Sequence, residues 1–444
     1  QVIKAFAGTK EAGALSGVRK RFLDETLADF RNQGADLPPE PKKRLEVLEA
    51  ELAQVTQKFG ENVLDATNAW DLYVDDESKL AGLPETARAT ALEDARKKGK
   101  GSEDSPVWRF TLHFPSMGPV LQHLEDETIR RQVWEASCAV GHKEPHDNTE
   151  LIWKILKLRQ EKAEILGKDD FADMVLERRM AKSGANADSF VTDLHDRILK
   201  KFSEEGQALR EYKGTDSGRE VAPLKPWETA YWAEKQRKEL YDFDKEELRP
   251  YFPIDRVIGG LFDLVQSVFN LRIEERDVVF FEVGQSGKVP EGAVEVWHPE
   301  VRYYDMFDAV DGRKMGSFFA DWHPREPKRG GAWMNFLRTG TPGPDGRLAP
   351  HLGLICGNMT PAAAGKPALL THREVETIFH EFGHLMHHLC GEVEIRSLNG
   401  VDVAWDFVEL PSQIMENWCW EREGLDLFAL HFETGEPIPE KLFQ

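Results

Sequence analysis

Apolar residues recur three or four apart over several turns in KRFLDETLADFRNQG, KKRLEVLEAELAQVTQKFGENVLDATNAW and TELIWKILKLRQEKAEIL. That spacing lines one face of an α-helix. A chain that keeps this period through residues 1–245 must bury helix against helix, so the fold expected is mainly α. Breakers at LPPEP (37–41), KKGKGSEDSP (97–106) and KGTDSG (213–218) divide the run into several helices. The charged positions between the apolar ones read as solvated faces.

The texture then changes. Residues 277–283 (DVVFFEV) and 294–307 (VEVWHPEVRYYDMF) are β-branched and aromatic with partial alternation, a strand signature. Asp311-Gly312, between YYDMFDAV and MGSFFADW, marks a hairpin turn. The Gly-rich stretch RGGAWMNFLRTGTPGPDG at 329–346 reads as loop and lacks the spacing of a phosphate-binding loop. From Arg373 the helical period returns, with Ile378, Phe382, Leu385 and Leu389 forming one stripe. A second helix is expected over 402–422, with Phe407, Leu410, Ile414 and Trp418 on its buried face and Pro411 kinking it or marking a bent start. The organisation expected is a helical lobe with channel wall at 1–245, a small mixed β region at 246–350 and catalytic helices at 351–444. The last residues, GEPIPEKLFQ, read as the beginning of another element, so a truncated C-terminus is expected.

Charge and cysteine usage exclude several classes. The 444 residues carry a formal charge of -21, a field that repels phosphate backbones, so no nucleic-acid partner is expected. Cys138, Cys356, Cys390 and Cys419 are scattered and form no CxxC pair, which argues against a disulfide framework or a Cys-rich zinc site. No run reaches the length of a membrane-spanning helix, and QVIKAFAGTKEAG lacks the basic and apolar regions of a signal peptide. A cytoplasmic protein is expected, with no membrane or obligate protein partner, and a monomer.

The chemistry concentrates in His380-Glu381-Phe382-Gly383-His384. A spacing of four puts both imidazoles on one helix face, one turn apart, where they can share a metal ion. Zinc lowers the pKa of bound water from about 16 to about 7. Glu381, one position off that pair, is then suited to take the water's proton as general base. A third ligand is required. The pattern with a third histidine fails, because His387 and Cys390 stand where its glycine and histidine belong. A carboxylate from a following helix is the other source. Glu409 lies 25 residues after His384, while Glu392, Glu394, Asp402, Asp406 and Glu416 are rivals on spacing alone. Glu376, one turn before His380, and Asp406 are candidates to brace the ligands, and His387 to border the cleft. His298, His323, His351 and His372 read as structural histidines.

Val375–His388 (VETIFHEFGHLMHH), followed by Asp406–Trp418 (DFVELPSQIMENW), resembles the thimet oligopeptidase family of zinc metallopeptidases. KPWETAYWAEK (225–235), ELRPYFP (247–253), MGSFFADWHPREPKRGGAWM (315–334) and HDNTELIWKILKLRQEKAEILG (146–167) extend the likeness, nearest the bacterial oligopeptidase A type. The resemblance implies a multi-helical, two-lobed zincin-type metallopeptidase with a small β-sheet beside an active-site channel. It implies His380, His384 and Glu409 as ligands to one zinc ion, Glu381 as base, and short peptides as substrates of an endopeptidase. The alternatives are a dipeptidyl carboxypeptidase of the same family, or a zinc-binding but catalytically incomplete fragment. Residues 315–321 are the strand expected to pair with substrate backbone. The family's further helical section, with a His and Tyr residues that stabilise the oxyanion, has no counterpart here, and Trp405 stands where close relatives carry Arg.

Overall fold

The computed structural model describes residues 1–218, 221–241, 244–282, 284–285, 287–363 and 365–444. The architecture is mainly α with small sheets. Two compact units form: one of Gln1–Leu72, Glu127–Gln236 and Ala404–Asp406, the other of Tyr73–Asp126, Arg237–Val403 and Phe407–Gln444. This interleaving differs from the linear division at 245 and 350. Residues 73–126 go with the second unit, where Lys98 and Arg109 both pair with Glu326. A cut at 350 would also detach His351–Cys356, a strand of the main sheet. Among the described residues no helix is long and apolar enough to cross a membrane.

The first unit contains helices α1 (Gly17–Asn32), α2 (Pro39–Asn68), α3 (Thr149–Ile165) and α4 (Gly184–Ser217). Proline at the first position of α2 costs no hydrogen bond, because that N–H has no helical partner anyway. Helices α2 and α3 pack together, with Leu45, Leu48, Ile155 and Leu158 buried and Arg44 gripping Glu161 through two hydrogen bonds of 2.5 and 2.6 Å. The KGTDSG run (213–218) ends α4 as expected, at its far end: Ser217 is the last helical residue and Gly218 is a left-handed cap with φ 60°. Lys213, at the start of the run, pairs with the buried Glu228 at 2.7 Å.

The second unit is built on helix α5 (Ile254–Phe269) and a five-stranded sheet: β1 (Leu271–Arg276), β2 (Arg302–Asp308), β3 (Lys314–Asp321), β4 (Trp333–Arg338) and β5 (His351–Cys356), in the order β1-β2-β3-β5-β4. The hairpin around Asp311-Gly312 forms, with β2 antiparallel to β3. Of the expected 277–283 strand, Val278–Phe280 is extended and pairs with Val294–Val296, while Val283 lies outside the described residues. The Gly-rich stretch is not all loop: its apolar centre, WMNFLR, is β4, paired antiparallel to β5.

Helix α6 (His372–Leu389) lies on this sheet. Its stripe Ile378, Phe382, Leu385 and Leu389 is buried as the sequence indicates. Gly353 in β5 permits the approach, since a Cβ there would lie 2.4 Å from Leu385 Cδ1. The rings of Phe318 and Phe382 meet edge-on at 6.0 Å.

Two buried imidazoles join α6 to the sheet edge. His351 accepts the Gly340 N–H at Nδ1 (3.1 Å) and donates from Nε2 to the Gly391 carbonyl (2.9 Å), the neutral tautomer with both nitrogens used. His388 Nε2 faces the Arg338 carbonyl at 3.2 Å, and the two rings stand 4.9 Å apart. Burial pushes the His388 imidazole down to about 4 and lowers His351 as well. The unfolded chain therefore binds more protons than the folded one between about pH 4 and 6.5. Stability is full above that window and is lost as pH falls through it, by about 3 kcal/mol for His388 alone. Urea unfolding at about pH 7 and about pH 4.5 is expected to show this fall, and His388→Gln to flatten it. Equal pH slopes in the two proteins would exclude His388 as its source.

Candidate metal centre

Helix α6 begins at a capping box: Thr371 Oγ1 accepts the Glu374 N–H, and the Glu374 carboxylate accepts the Thr371 N–H at 2.7 Å. The helix start is thus fixed, and with it the phase that turns His380 and His384 to one side. Facing them is α7 (Glu409–Glu416). It is shorter than the 402–422 expected, and its buried face differs. Ser412 and Met415 are buried, whereas Phe407, Leu410 and Ile414 are exposed. Pro411 stands in the first turn, where its missing N–H is harmless, so it marks a start and not a kink. The helix bears on α6 through Ser412 and Met415.

Gly383 sets the distance between the two helices. A Cβ on it would lie 2.6 Å from Ser412 Cα and 2.7 Å from the Pro411 carbonyl oxygen, both backbone atoms. This approach brings Glu409 Oε2 to 3.2 Å from Nε2 of both His380 and His384. The ligand atoms of all three residues lie within 4.8 Å of one another. Tetrahedral zinc ligands at about 2.0–2.1 Å from the ion stand about 3.3 Å apart. The two carboxylate–imidazole separations match that requirement. Ser412 Oγ donates to Glu409 Oε2 at 2.9 Å and fixes the carboxylate. Burial lowers the pKa of His384, favouring the neutral imidazole that ligation needs.

Glu381 is buried under the sheet edge, and among the described residues its Oε2 has no hydrogen-bond partner. Burial pushes its carboxyl up to about 7. The neighbouring His380 opposes that rise, the Glu409 charge adds to it, and the Met334 N–H of β4 opposes it. A cation at the three ligands acts in the lowering direction. A carboxyl so buried, with one oxygen unclaimed, is suited to receiving a proton.

The other candidates separate. Glu376 does not brace His380; its carboxylate is taken by Trp420 Nε1 at 2.8 Å. Asp406 instead accepts the Met180 backbone N–H within the first unit. His387 stands 6.3 Å from the Phe407 ring with Nδ1 buried, outside the ligand group. Trp405 is exposed. The group that meets His380 Nδ1 is Glu416, at 2.6 Å. Its signal was available, since seven residues after Glu409 is two helical turns on the same face. Residues 315–321, the strand expected to pair with substrate, lie in β3, which is paired on both sides by β2 and β5; β1 and β4 are the edges of that sheet among the described residues.

A helix-borne His-Glu-His set thus meets a carboxylate from a second helix, the donor set of a candidate metal centre. The chain belongs to peptidase family M3, which it matches over residues 120–444. It is 38% identical to oligopeptidase A of Haemophilus influenzae over 99% of this chain and 62% of that protein. It is 37% identical to oligopeptidase A of Escherichia coli over 96% and 60%, respectively. With dipeptidyl carboxypeptidase of Escherichia coli the identity is 31%, over 98% of this chain and 60% of that protein. The chain thus spans about three fifths of the length of these relatives.

Gly383→Ala is expected to force α6 and α7 apart, costing about 1–3 kcal/mol by urea unfolding and lowering the zinc retained after dialysis. Unchanged values for both would mean the helices are not held at contact distance.

Proposed function

We propose that this chain carries the zinc centre of an endopeptidase that cuts internal bonds of short oligopeptides. His380, His384 and Glu409 are the ligands to one ion and Glu381 is the general base. One observation carries this reading: Glu409 Oε2 lies 3.2 Å from both imidazoles, within one group of three donor atoms, beside a buried Glu381 oxygen that has no hydrogen-bond partner among the described residues. When bound, the ion supplies Lewis acidity toward a water and a peptide carbonyl. Glu381 accepts the proton that the attacking water loses and delivers it to the departing amine nitrogen. A carboxyl raised toward neutrality serves both transfers. The open edge of β4 supports substrate pairing through backbone hydrogen bonds, which confer affinity with little side-chain selectivity.

Similarity to oligopeptidase A favours internal cleavage. Similarity to dipeptidyl carboxypeptidase supports a second reading, release of C-terminal dipeptides, which the same ligands and base would serve. The cytoplasm, a monomeric state and the absence of nucleic-acid partners belong to the proposal as well.

Zinc content and cleavage of an end-blocked, internally quenched peptide test it. About one zinc per chain is expected. Glu381→Gln should keep that zinc while losing about 10²–10⁴-fold in rate. Glu409→Ala should lose its zinc on dialysis. Full activity in Glu381→Gln would remove the assigned base, and undiminished zinc in Glu409→Ala the assigned third ligand. Cleavage confined to free C-termini, two residues at a time, would turn the reading to a dipeptidyl carboxypeptidase.

A further inference from the structure

Three ligand side chains do not by themselves make a stable site. An imidazole must present the right nitrogen, with its lone pair bare, at a fixed ring angle. His380 has a dedicated partner for this. Glu416 Oε1 lies 2.6 Å from His380 Nδ1. A carboxylate accepts there, so Nδ1 carries a proton, which leaves Nε2, the nitrogen facing Glu409 and His384, as the one that can ligate an ion.

Resting on the zinc reading above, we propose that Glu416 is a positioning residue for the metal centre, fixing the tautomer and ring angle of His380. Helix α7 then contributes the third ligand from its first residue and the brace for the first ligand from its last. Two observations favour Glu416 over the carboxylates that spacing suggests. Glu376 is engaged by Trp420 and Asp406 by the Met180 backbone, so neither faces His380. Glu416 also occupies the C-terminal end of α7, where the helix dipole disfavours a carboxylate. Its compensating partner there is the His380 N–H. Met415, buried beside it, and Ser412, buried one turn earlier, hold the helix face on which it sits.

The test measures zinc affinity of the full chain by chelator competition, the visible spectrum of its cobalt-substituted form, and urea unfolding of the zinc-free protein. Glu416→Ala is expected to lose about 10–100-fold in zinc affinity. Its cobalt spectrum should change while zinc-free stability holds. Glu416→Gln keeps an acceptor oxygen for Nδ1–H without the charge. It should recover part of the affinity, and it serves as the readout if the alanine variant folds poorly. Wild-type affinity and spectrum in Glu416→Ala would overturn the assignment while leaving the zinc reading intact. Lost affinity matched by lost zinc-free stability, without recovery in Glu416→Gln, would overturn it too, making Glu416 a general support of the fold. A wild-type chain that takes up no zinc would overturn the zinc reading and this assignment with it.

Discussion

The contact of α6 with α7 at Gly383 is the constraint on which the site depends. An eight-residue helix has little stability of its own. It persists because Ser412 and Met415 seat against α6 at a distance only glycine allows. From that one contact come the convergence of Glu409 with both histidines, the Ser412 hydrogen bond that orients it and the Glu416 carboxylate behind His380. The metal-binding potential of this region is therefore a property of helix packing, and the four-residue histidine spacing is only half of it.

The sheet performs the complementary task. It supports α6 from the opposite side, where Leu385 settles over Gly353 and Phe382 meets Phe318. Helix α5 joins the same core through Phe262, whose ring contacts Tyr304, Phe318 and Phe382. Because β5 runs parallel to β3, the chain between them is free to loop out and return as β4 on the far side of β5. That crossover leaves β4, whose Met334 N–H acts on Glu381, as an edge strand of the sheet among the described residues.

What was legible in the sequence follows from how strongly each pattern is tied to one geometry. The stripe of α6 and the Asp311-Gly312 turn are local signals, and both formed as read. The buried face of α7 was not legible, because its contact uses Ser412, Met415 and the close approach at Gly383, while the apolar Leu410 and Ile414 are exposed. Apolar pattern is a poor guide where a backbone approach at glycine decides which side packs. KGTDSG does end a helix, but only at its last residue, because Gly218 alone of the run takes the left-handed conformation that closes it. WMNFLR was masked by flanking glycines, and its strand state rests on pairing with β5, a long-range contact no window reveals. Glu416 was visible as a carboxylate on the ligand face. Whether it would bind the ion or brace a ligand depended on an interhelical distance of a few ångström.

On the proposed zinc reading, the ligand set would be indifferent to where a peptide is cut, since internal cleavage and dipeptide release would need the same ligands and base. The difference must arise along the substrate strand. A strand rises about 3.3 Å per residue, so a carboxypeptidase releasing dipeptides must neutralise a terminal carboxylate about 7 Å beyond the scissile bond. An endopeptidase needs only a continuous edge on which the chain runs past. Met334, the residue of β4 whose N–H acts on Glu381, is the second of that strand's six residues. A peptide paired along β4 would therefore have its longer paired stretch on the Asn335–Arg338 side of the base. On that reading, backbone pairing there would hold a chain without reading its end, and would favour internal cleavage unless a cation beyond the strand supplied end recognition.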